Sequence, residues 1–482
     1  MGRLGLLGDR KGRPYDGTNE RIYMFEQQLK YDLFRAYYSA RQNKRNTWNQ
    51  LRFEIEYERN LLAMQENILN RTYTIRKSIA FVIHEPVQRE IFAADFSDRV
   101  VHHLIFNYIN PILEPQFIED SYSCRLGKGT HYGVARMSEF LKMCSENYTK
   151  DCYVLKLDIK GYFMSMNKHL LWQKLETMLD SARYTPFVPE ESSFCWNDCF
   201  DFELVWWLME KVIWNDPKEQ CTIKGKLSDW DGLPPSKSLF HAAPDCGLPI
   251  GNLTSQLFSN VYLHDFDSFV KNDLGCEYYG RYVDDFVIIH RDKGFLLDVL
   301  DKIKKYLAEH AALKLHPNKI YLQHYAKGFP FLGVYIKPYR NYINNRTKKK
   351  FYQALERCEE SLGQMGQMKT QRHEGVKARK DEAEEYGVCR NGTGETDETG
   401  GIGETDEYNP LQTSPSKGEA FETVERKEVE KVRATLNSYL GIMKHHCTYN
   451  LRRKALLKKN YRFFDYGFLT NNLEKYQMKK RG

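Results

Sequence analysis

The chain has 482 residues, of which 71 are Lys or Arg and 64 are Asp or Glu, so its net charge is +7. Hydrophobic residues make up 41% and charged residues 28%, a balance that excludes disorder throughout the chain. No run approaches the roughly 18 apolar residues of a membrane-spanning helix, and the first residues lack the apolar core of a secretory signal. Eleven cysteines without a Cys-x-x-Cys pair favour reduced thiols. We therefore expect a soluble cytoplasmic protein with no membrane partner.

The first part of the chain alternates helical and strand-like patterns. Apolar residues at three- and four-residue intervals from about Ile22 to Leu69 predict helices, which we assign to an N-terminal helical extension over residues 1–70. Residues 71–150 mix a strand-like run, Ser78 to Ile83, with a helix around Val100 to Tyr108. Residues 151–345 contain β-branched and aromatic runs such as "YVLKLD", "FVIIH" and "FLGVYI", which are typical of strands. The sequence therefore predicts a mixed α+β protein.

The remaining residues, 346–482, are helical in pattern but are interrupted by an acidic repeat. The sequence "GETDE" occurs at 394–398 and again at 403–407. Such a composition cannot bury enough apolar surface to fold, so we expect a disordered acidic insertion over residues 363–420. The helical pattern then resumes with an apolar stripe formed by Val429, Val432, Leu436 and Leu440.

Two neighbouring aspartates interrupt the segment "YYGRYVDDFVIIH", residues 278–290. Apolar runs flank Asp284 and Asp285, and Asp favours turns, so the segment predicts a β-hairpin with both acids at its tip. Adjacent carboxylates repel each other, and divalent cations would neutralise them. A solvated turn is the simpler alternative, because so short a motif also occurs by chance.

A third aspartate, Asp158, ends the strand-like run "CYVLKLD". If this strand and the hairpin are neighbours, three carboxylates converge at one sheet edge and could hold two Mg²⁺ ions about 4 Å apart, as phosphoryl transfer requires. The alternative is that Asp158 caps a helix beginning at Ile159.

Between the two segments lies "CGLPIGNLTSQLFSNVYLHDF" (246–266), which predicts a turn followed by an amphipathic helix from Leu257 to Phe266. The small residues of this segment would let the backbone approach a ligand.

In this order, "LDIKGYF", "LPIGNLTSQ" and "YVDD" resemble the palm motifs of reverse transcriptases. Upstream, "PVQREIFAADFSDRVVHHLI" and "DSYSCRLGKGTH" look like the fingers motifs, and downstream "LKLHPNKIYL" and "FLGVYI" look like the last palm motifs. The resemblance implies a right-hand polymerase that copies RNA into DNA. It would have fingers at 71–150, a ferredoxin-like palm at 151–345 with a family insertion at 185–245, and an α-helical thumb at 346–482.

The resemblance also implies roles for residues at the sheet edge. Asp158, Asp284 and Asp285, with the Ile159 carbonyl, would bind two Mg²⁺ ions, or Mn²⁺ in their place. Lys319 falls where the family has a candidate general acid for the pyrophosphate.

The nucleotide site follows from the same resemblance. Phe163 would be the steric gate that excludes a ribose 2′-hydroxyl, and its alternative is a core Phe. Arg125, with Arg89 and Lys128, would contact the triphosphate of the incoming dNTP, because Arg recognises phosphate in a bidentate manner. A solvated basic loop is the alternative for these three residues.

Position 250 departs from the pattern of most reverse transcriptases, which have Gln before the motif's Gly. Here Ile250 precedes Gly251, and Ser255-Gln256 ends the motif, which resembles the reverse transcriptases of diversity-generating retroelements. Those enzymes make errors at template adenines. Ile cannot hydrogen-bond the nascent base pair, and each ~1.4 kcal/mol lost in discrimination is a tenfold change in selectivity. The alternative is a buried Ile that lines an ordinary nucleotide site, to which Gly251 and Gln256 also belong.

Several partners are implied by resemblance alone. They are a template RNA, the RNA–DNA hybrid, dNTPs and a small, basic, helical accessory protein that forms an oligomer. The thumb of the family binds template and primer, and Arg452, Arg453 and Lys454 in "LRRKALLKKNYRFF" fit that role. Cys195 and Cys199 lack a second pair of suitably spaced zinc ligands, so we interpret them as structural thiols.

Two other functions remain open at this point. One is a bacterial defence reverse transcriptase whose cDNA or untemplated product acts against phage. The other is a polymerase-like RNA-binding scaffold without catalysis, which the intact set of three aspartates disfavours.

Overall fold

The computed structural model describes residues 17–42, 47–85, 87–184, 202–385, 417–446, 448–457, 459, 461–470 and 472–479. The chain divides into two compact units, residues 1–327 and 328–482. Both contain helices and sheets, which confirms the predicted α+β class. Within the described ranges, no helix is both long enough and apolar enough to cross a membrane.

The described helices of the first unit are α1 (Gly17–Arg41), α2 (Trp48–Glu54), α3 (Tyr57–Leu69), α4 (Phe96–Leu113), α5 (Thr130–Cys144), α6 (Tyr162–Ser165), α7 (Lys168–Tyr184), α8 (Phe202–Trp214), α9 (Leu253–Tyr262), α10 (His264–Ser268) and α11 (Lys293–His310). Its described strands are β1 (Ser78–Ile83), β2 (Arg89–Ala93), β3 (Tyr153–Asp158), β4 (Cys221–Ile223), β5 (Tyr278–Tyr282), β6 (Asp285–His290) and β7 (Tyr321–His324).

A four-stranded antiparallel sheet forms the centre of the first unit, with strand order β5-β6-β3-β7. Along the chain its elements run strand, helices, two strands, helix, strand, which is the split βαβ arrangement of ferredoxin-like folds. The expected ferredoxin-like arrangement of this sheet is therefore confirmed. β6 lies between two neighbours, and its residues Phe286 to Ile289 are all buried, as their uninterrupted apolar run requires.

A smaller sheet has the order β2-β1-β4. β1 pairs antiparallel with β2, and β4 pairs in parallel with β1, with Ser78 opposite Cys221. β4 belongs to the expected insertion at 185–245, so this insertion completes the sheet of the expected fingers region. Cys195 and Cys199 lie outside the described residues.

One hydrophobic core connects the N-terminal helices with the four-stranded sheet. Leu29 and Leu33 of α1 are buried in the same cluster as Val100 and Leu104 of α4 and Leu157 of β3. In the described residues of the expected N-terminal extension, helices α1 to α3 are present, and α1 is packed into the core of the first unit.

The second unit contains β8 (Phe329–Phe331), β9 (Val334–Lys337), β10 (Arg340–Ile343), α12 (Asn345–Glu385), α13 (Lys417–Lys444), α14 (Tyr449–Leu457), α15 (Phe463–Tyr466), β11 (Gly467–Leu469) and β12 (Tyr476–Met478). Its sheets have the orders β10-β9-β8 and β11-β12. The predicted apolar stripe of α13 is confirmed, because Val429, Val432, Leu436 and Leu440 are buried in the core of this unit with Phe351 and Leu355 of α12.

Three expectations for this unit need correction. It begins at Gly328 and includes β8 to β10, whereas we expected the palm to continue to 345. The expected α-helical thumb also contains strands. Finally, α12 continues to Glu385 and α13 begins at Lys417, so the bounds 363 and 420 of the expected insertion are wrong at both ends. Residues 386–416 lie outside the described residues.

Candidate active site

The structure brings the three aspartates of the sequence analysis together. Asp158, the last residue of β3, is directly opposite Asp285, the first residue of β6. Side chains of opposite residues in an antiparallel pair lie on the same face of the sheet. Asp284 lies in the loop that joins β5 to β6, and its carbonyl accepts a hydrogen bond from the Ile159 amide at 3.1 Å. We call residues 278–290 the aspartate hairpin.

The structure also decides between the alternatives for these residues. Asp158 does not cap a helix, because the next helix, α6, begins at Tyr162 after Gly161. The hairpin is present as predicted, but Asp284 occupies its loop whereas Asp285 already belongs to β6. Both aspartates are only partly accessible, so the solvated turn is the poorer description.

Burial and mutual repulsion disfavour ionisation of these carboxyl groups. Burial, followed by the charge of Asp158, raises the pKa of Asp284 to about 6. Burial also raises the pKa of Asp285, and the nearby Lys156 ammonium opposes that effect. Carboxyl groups whose pKa is raised by burial and by neighbouring negative charge are typical of functional sites.

Two lysines supply positive charge at the site. Lys319 Nζ lies 2.7 Å from Asp158 Oδ2, and Lys156 Nζ lies 2.6 Å from Asp285 Oδ1. The expected position of Lys319 beside the aspartates is therefore observed. Lys156 was missed by the sequence analysis, although strand alternation places it on the same face of β3 as Asp158, two residues away.

The oxygen atoms at this sheet edge fit a divalent cation by their chemistry. Carboxylates and carbonyls are the ligands that Mg²⁺ accepts. Burial is the main cause of the raised pKa of Asp284, and a cation would relieve the second cause, repulsion by Asp158. In the part of the chain that the structure describes, no three His, Cys, Asp or Glu side chains are already gathered around one metal position. Asp158 and Asp285 instead pair with Lys319 and Lys156, so metal binding would have to displace or rearrange these ammonium groups.

Two residues of the expected nucleotide site, Phe163 and Ile250, lie together. Both are half-buried and pack against one small apolar cluster that includes Phe92 and Met164. The Ile250 carbonyl accepts a hydrogen bond from the Phe92 amide at 3.1 Å. This contact joins the turn before α9 to strand β2.

The glycine after Ile250 is required by its backbone. Gly251 has φ +126, and a Cβ atom there would lie 3.1 Å from Ile91 Cγ2. Nearby, Gln256 of α9 accepts a hydrogen bond from Cys124 Sγ at 3.2 Å. The contacts of Gln256 and Ile250 therefore place the turn and α9 against both expected fingers motifs.

The expected triphosphate ligands have different surroundings. The side chain of Arg125 is nearly inaccessible to solvent, and its guanidinium donates to Glu114 Oε1 at 2.7 Å and to the carbonyls of Ile118 and Ser121. Lys128 lies 3.1 Å from the Glu119 carboxylate. Both side chains thus have partners within the protein. Neither of the two expectations for them, contact with the triphosphate or exposure in a solvated basic loop, includes such partners.

Arg89, the third expected triphosphate ligand, differs from Arg125 and Lys128 in its exposure. It is exposed at the start of β2, opposite Ile83. Burial raises the pKa of Tyr282, the last residue of β5, and the charge of Arg89 lowers it. Arg89 is therefore within electrostatic range of the aspartate hairpin.

The expected nucleic-acid ligands lie on α14 of the second unit, and one of them needs correction. Arg453 and Lys454 are exposed, but Arg452 is buried and donates to the Leu473 carbonyl at 3.1 Å. Arg452 is a core residue because helical periodicity places it on the same face as the buried Ala455 and Leu456. This signal was available in the sequence.

Comparison with known proteins gives one family match and one similar curated protein. Residues 217–336 match the protein family described as reverse transcriptase (RNA-dependent DNA polymerase). Protein YkfC of Escherichia coli (strain K12) is 23% identical over 268 residues, which are 49% of this chain and 60% of that protein.

Similar solved structures include two telomerases. Apo telomerase from Candida tropicalis, truncated from its C-terminal domain, has a TM-score of 0.40 and 13% identity, covering 56% of this chain and 55% of that one. Telomerase from Candida albicans in complex with the TWJ fragment of telomeric RNA has a TM-score of 0.38 and 10% identity, covering 64% and 55%. The chain thus spans somewhat over half the length of each of these proteins. The aspartate hairpin and the turn before α9 lie within the segment, residues 217–336, that matches the reverse transcriptase family.

Proposed function

We propose that this protein is an RNA-directed DNA polymerase that makes cDNA from a template RNA. One observation carries the proposal. Asp158 is paired with Asp285 beside Asp284 at the edge of a ferredoxin-like sheet, and the hairpin that bears two of these residues lies in the segment similar to reverse transcriptases. Carboxylates on rigid strands suit metal-assisted nucleotidyl transfer.

Each residue at the site has a separate role in this proposal. Asp158, Asp284, Asp285 and the Ile159 carbonyl would hold two Mg²⁺ ions, which when bound activate the primer hydroxyl and neutralise charge on the triphosphate. Lys319, whose half-exposed ammonium lies at Asp158, would give a proton to the departing pyrophosphate. Phe163 would exclude ribonucleotides by contact with their 2′-hydroxyl.

The test is Mg²⁺-dependent primer extension on a defined RNA template with sequencing of every product. We expect cDNA from the wild-type chain and none from Asp284→Asn or Asp285→Asn. The matched control is Asp298→Asn, which removes an exposed carboxylate from α11 and should leave extension unchanged. No product from the wild-type chain above the Asp284→Asn background would contradict polymerase activity and favour a non-catalytic RNA-binding scaffold.

We further propose that the enzyme works in a diversity-generating retroelement in a bacterial cytoplasm, with a basic helical accessory oligomer. Ile250 supports this subtype, because it adjoins the same apolar cluster as Phe163 and offers no side-chain hydrogen bond to a nascent base pair. Errors concentrated opposite template adenine are the expected product signature. Faithful, repetitive or untemplated products would instead support a defence enzyme.

Ile250→Gln tests the origin of these errors. A Gln side chain would restore a polar contact with the nascent pair, so we expect misincorporation opposite adenine to fall about tenfold, as a gain of ~1.4 kcal/mol in discrimination implies. Leu227→Gln makes a similar apolar-to-polar change at an exposed position and should leave the error spectrum unchanged. Identical error spectra for Ile250→Gln and wild type would mean that Ile250 only packs against the site and does not cause the errors.

A further inference from the structure

The loop of the aspartate hairpin contains an unfavourable backbone conformation. Val283 has φ +56, in the left-handed region. Side chains branched at Cβ rarely adopt it, because Cβ crowds the backbone. Such a conformation persists only where surrounding contacts hold it, and it is often found at functional sites. The contacts made by this loop therefore show what holds Asp284 in place.

A buried arginine holds the peptide group that precedes Asp284. The guanidinium of Arg281 is fully buried, and its Nη1 donates to the Val283 carbonyl at 3.0 Å. On the other side, the Asp284 carbonyl accepts from the Ile159 amide at 3.1 Å. Both peptide groups that flank the Asp284 Cα atom are therefore fixed, one by Arg281 and the other by the residue that follows Asp158.

Arg281 is itself held by a buried carboxylate from another element. Asp267 of α10 accepts from Arg281 Nε at 2.7 Å and from Nη2 at 2.6 Å, and the Tyr279 hydroxyl donates to the same carboxylate at 2.6 Å. All three side chains are buried. The planar guanidinium can bind Asp267 and the Val283 carbonyl together, whereas a Lys ammonium lacks this fork of donors.

The backbone of Arg281 is anchored as well. Its amide donates to the Asp120 carbonyl, and its carbonyl accepts from the Tyr122 amide, each at 2.9 Å. The guanidinium therefore extends from a fixed strand to a fixed carboxylate, and the Val283 carbonyl is bound by a group with little freedom to move. Of the acceptors around the buried guanidinium, Asp267 and Ser121 belong to other segments, and the Val283 carbonyl is the one in the loop that carries Asp284.

We propose that Arg281 is a positioning residue, which holds the Val283–Asp284 loop so that the Asp284 carboxylate faces Asp158 in the geometry needed for metal binding and catalysis. This inference rests on the proposed polymerase function. It assigns Arg281 no contact with substrate. Its effect is transmitted through one hydrogen bond to the Val283 carbonyl.

Arg281→Lys in the full chain is the first test. It keeps the positive charge opposite Asp267 but removes the planar set of N–H donors that binds Asp267 and the Val283 carbonyl together. We expect kcat for primer extension to fall about a hundred-fold, the order that a ~1 Å misplacement produces, with the KM for dNTP unchanged. Mn²⁺ binding to the protein alone, followed by electron paramagnetic resonance, should weaken several-fold. Arg291→Lys is the matched control, since Arg291 is a half-exposed arginine paired with Glu146 beyond the end of β6.

A rescue variant separates positioning from fold stability. Glycine adopts positive φ readily, so Val283→Gly in the Arg281→Lys background should recover part of the lost kcat by removing the need to hold the loop. If the role of Arg281 were only structural, Arg281→Lys would lower the melting temperature and Val283→Gly would restore no kcat. That result overturns the inference, as does wild-type kcat and Mn²⁺ affinity in Arg281→Lys.

Tyr279→Phe decides the question if Arg281→Lys does not fold. It removes one hydrogen bond to Asp267 and leaves the ion pair, and a several-fold fall in kcat with weaker Mn²⁺ binding supports positioning. Unchanged kcat and Mn²⁺ binding would overturn it. A wild-type chain with no polymerase activity contradicts the proposed function, whereas an active wild type with an unaffected Arg281 variant contradicts the positioning role alone.

Discussion

Asp284 is held at a free-energy cost to the folded protein. Its pKa is about 6 in the folded chain, against 3.8 for an ordinary Asp, because burial and then the charge of Asp158 disfavour its ionised form. A carboxyl group that is harder to ionise when folded lowers stability at every pH above the folded pKa. The cost disappears below the unfolded pKa, where the group is protonated in both states.

Asp284→Asn should therefore stabilise the protein while abolishing the proposed polymerase activity. In the absence of divalent metal at pH 7.5, we expect the free energy of unfolding to rise by on the order of 1–3 kcal/mol, and this gain should shrink to nothing below pH ~4. Thermal unfolding from pH 4 to 8 measures it. Asp298→Asn, at an exposed position, provides the control. A gain of equal size at every pH would contradict the electrostatic cause.

The residues of the site differ in how far sequence alone could predict them. The sequence identified Asp158 and Asp285 as candidates, because an apolar run ends at Asp158 and another begins after Asp285, but only the strand pairing in the structure brings the two together. The surroundings of Arg125 were not predictable, because its partners, the Glu114 carboxylate and two carbonyls, are set by the packing of α4 and the segment that follows it. A guanidinium binds such groups as readily as it binds phosphate.

At the scale of elements, the described part of the expected insertion, residues 202–245, is bound to the sheet of β1 and β2. Its strand β4 adds to β1 in parallel, and Glu90 of β2 accepts hydrogen bonds from Trp230 Nε1 and Ser238 Oγ, both at 2.7 Å. Glu90 also accepts from the Leu239 amide. A three-residue strand such as β4 has too few residues to show a pattern, so the pairing could not be predicted from the sequence.

Glu90→Gln should loosen this insertion. An amide offers one acceptor oxygen where the carboxylate offers two, so at least one buried donor loses its partner, at a cost of about 1–3 kcal/mol. We expect the Leu239 amide to exchange with solvent at least ten times faster, measured by hydrogen–deuterium exchange. Glu139→Gln, which breaks an exposed pair with Arg136, should leave Leu239 unaffected. Equal exchange in both variants would contradict a role for Glu90 in holding the insertion.

At the scale of the whole molecule, charge is distributed unevenly along the chain. Residues 372–407 contain five Lys or Arg and eleven Asp or Glu, whereas the last 32 residues contain ten basic and two acidic residues. A basic surface attracts nucleic acid through its phosphates, and binding then weakens as salt is added. Helix α14 carries part of this basic charge. Its Arg453 and Lys454 are exposed, whereas its Arg452 is buried.

Exchanging Arg453 and Lys454 for Gln should reduce the salt dependence of RNA binding. If both side chains neutralise phosphates, the slope of log affinity against log salt concentration becomes shallower by roughly 1.5. Arg452→Gln should instead lower the melting temperature and leave the slope unchanged, because Arg452 is buried and bonded to the Leu473 carbonyl. Fluorescence anisotropy measured from 50 to 300 mM salt, roughly a sixfold range of concentration, distinguishes the slopes of the two variants. An unaltered slope in the Arg453, Lys454 variant would mean that α14 does not contact RNA, and the basic charge elsewhere in the chain would then have to account for binding.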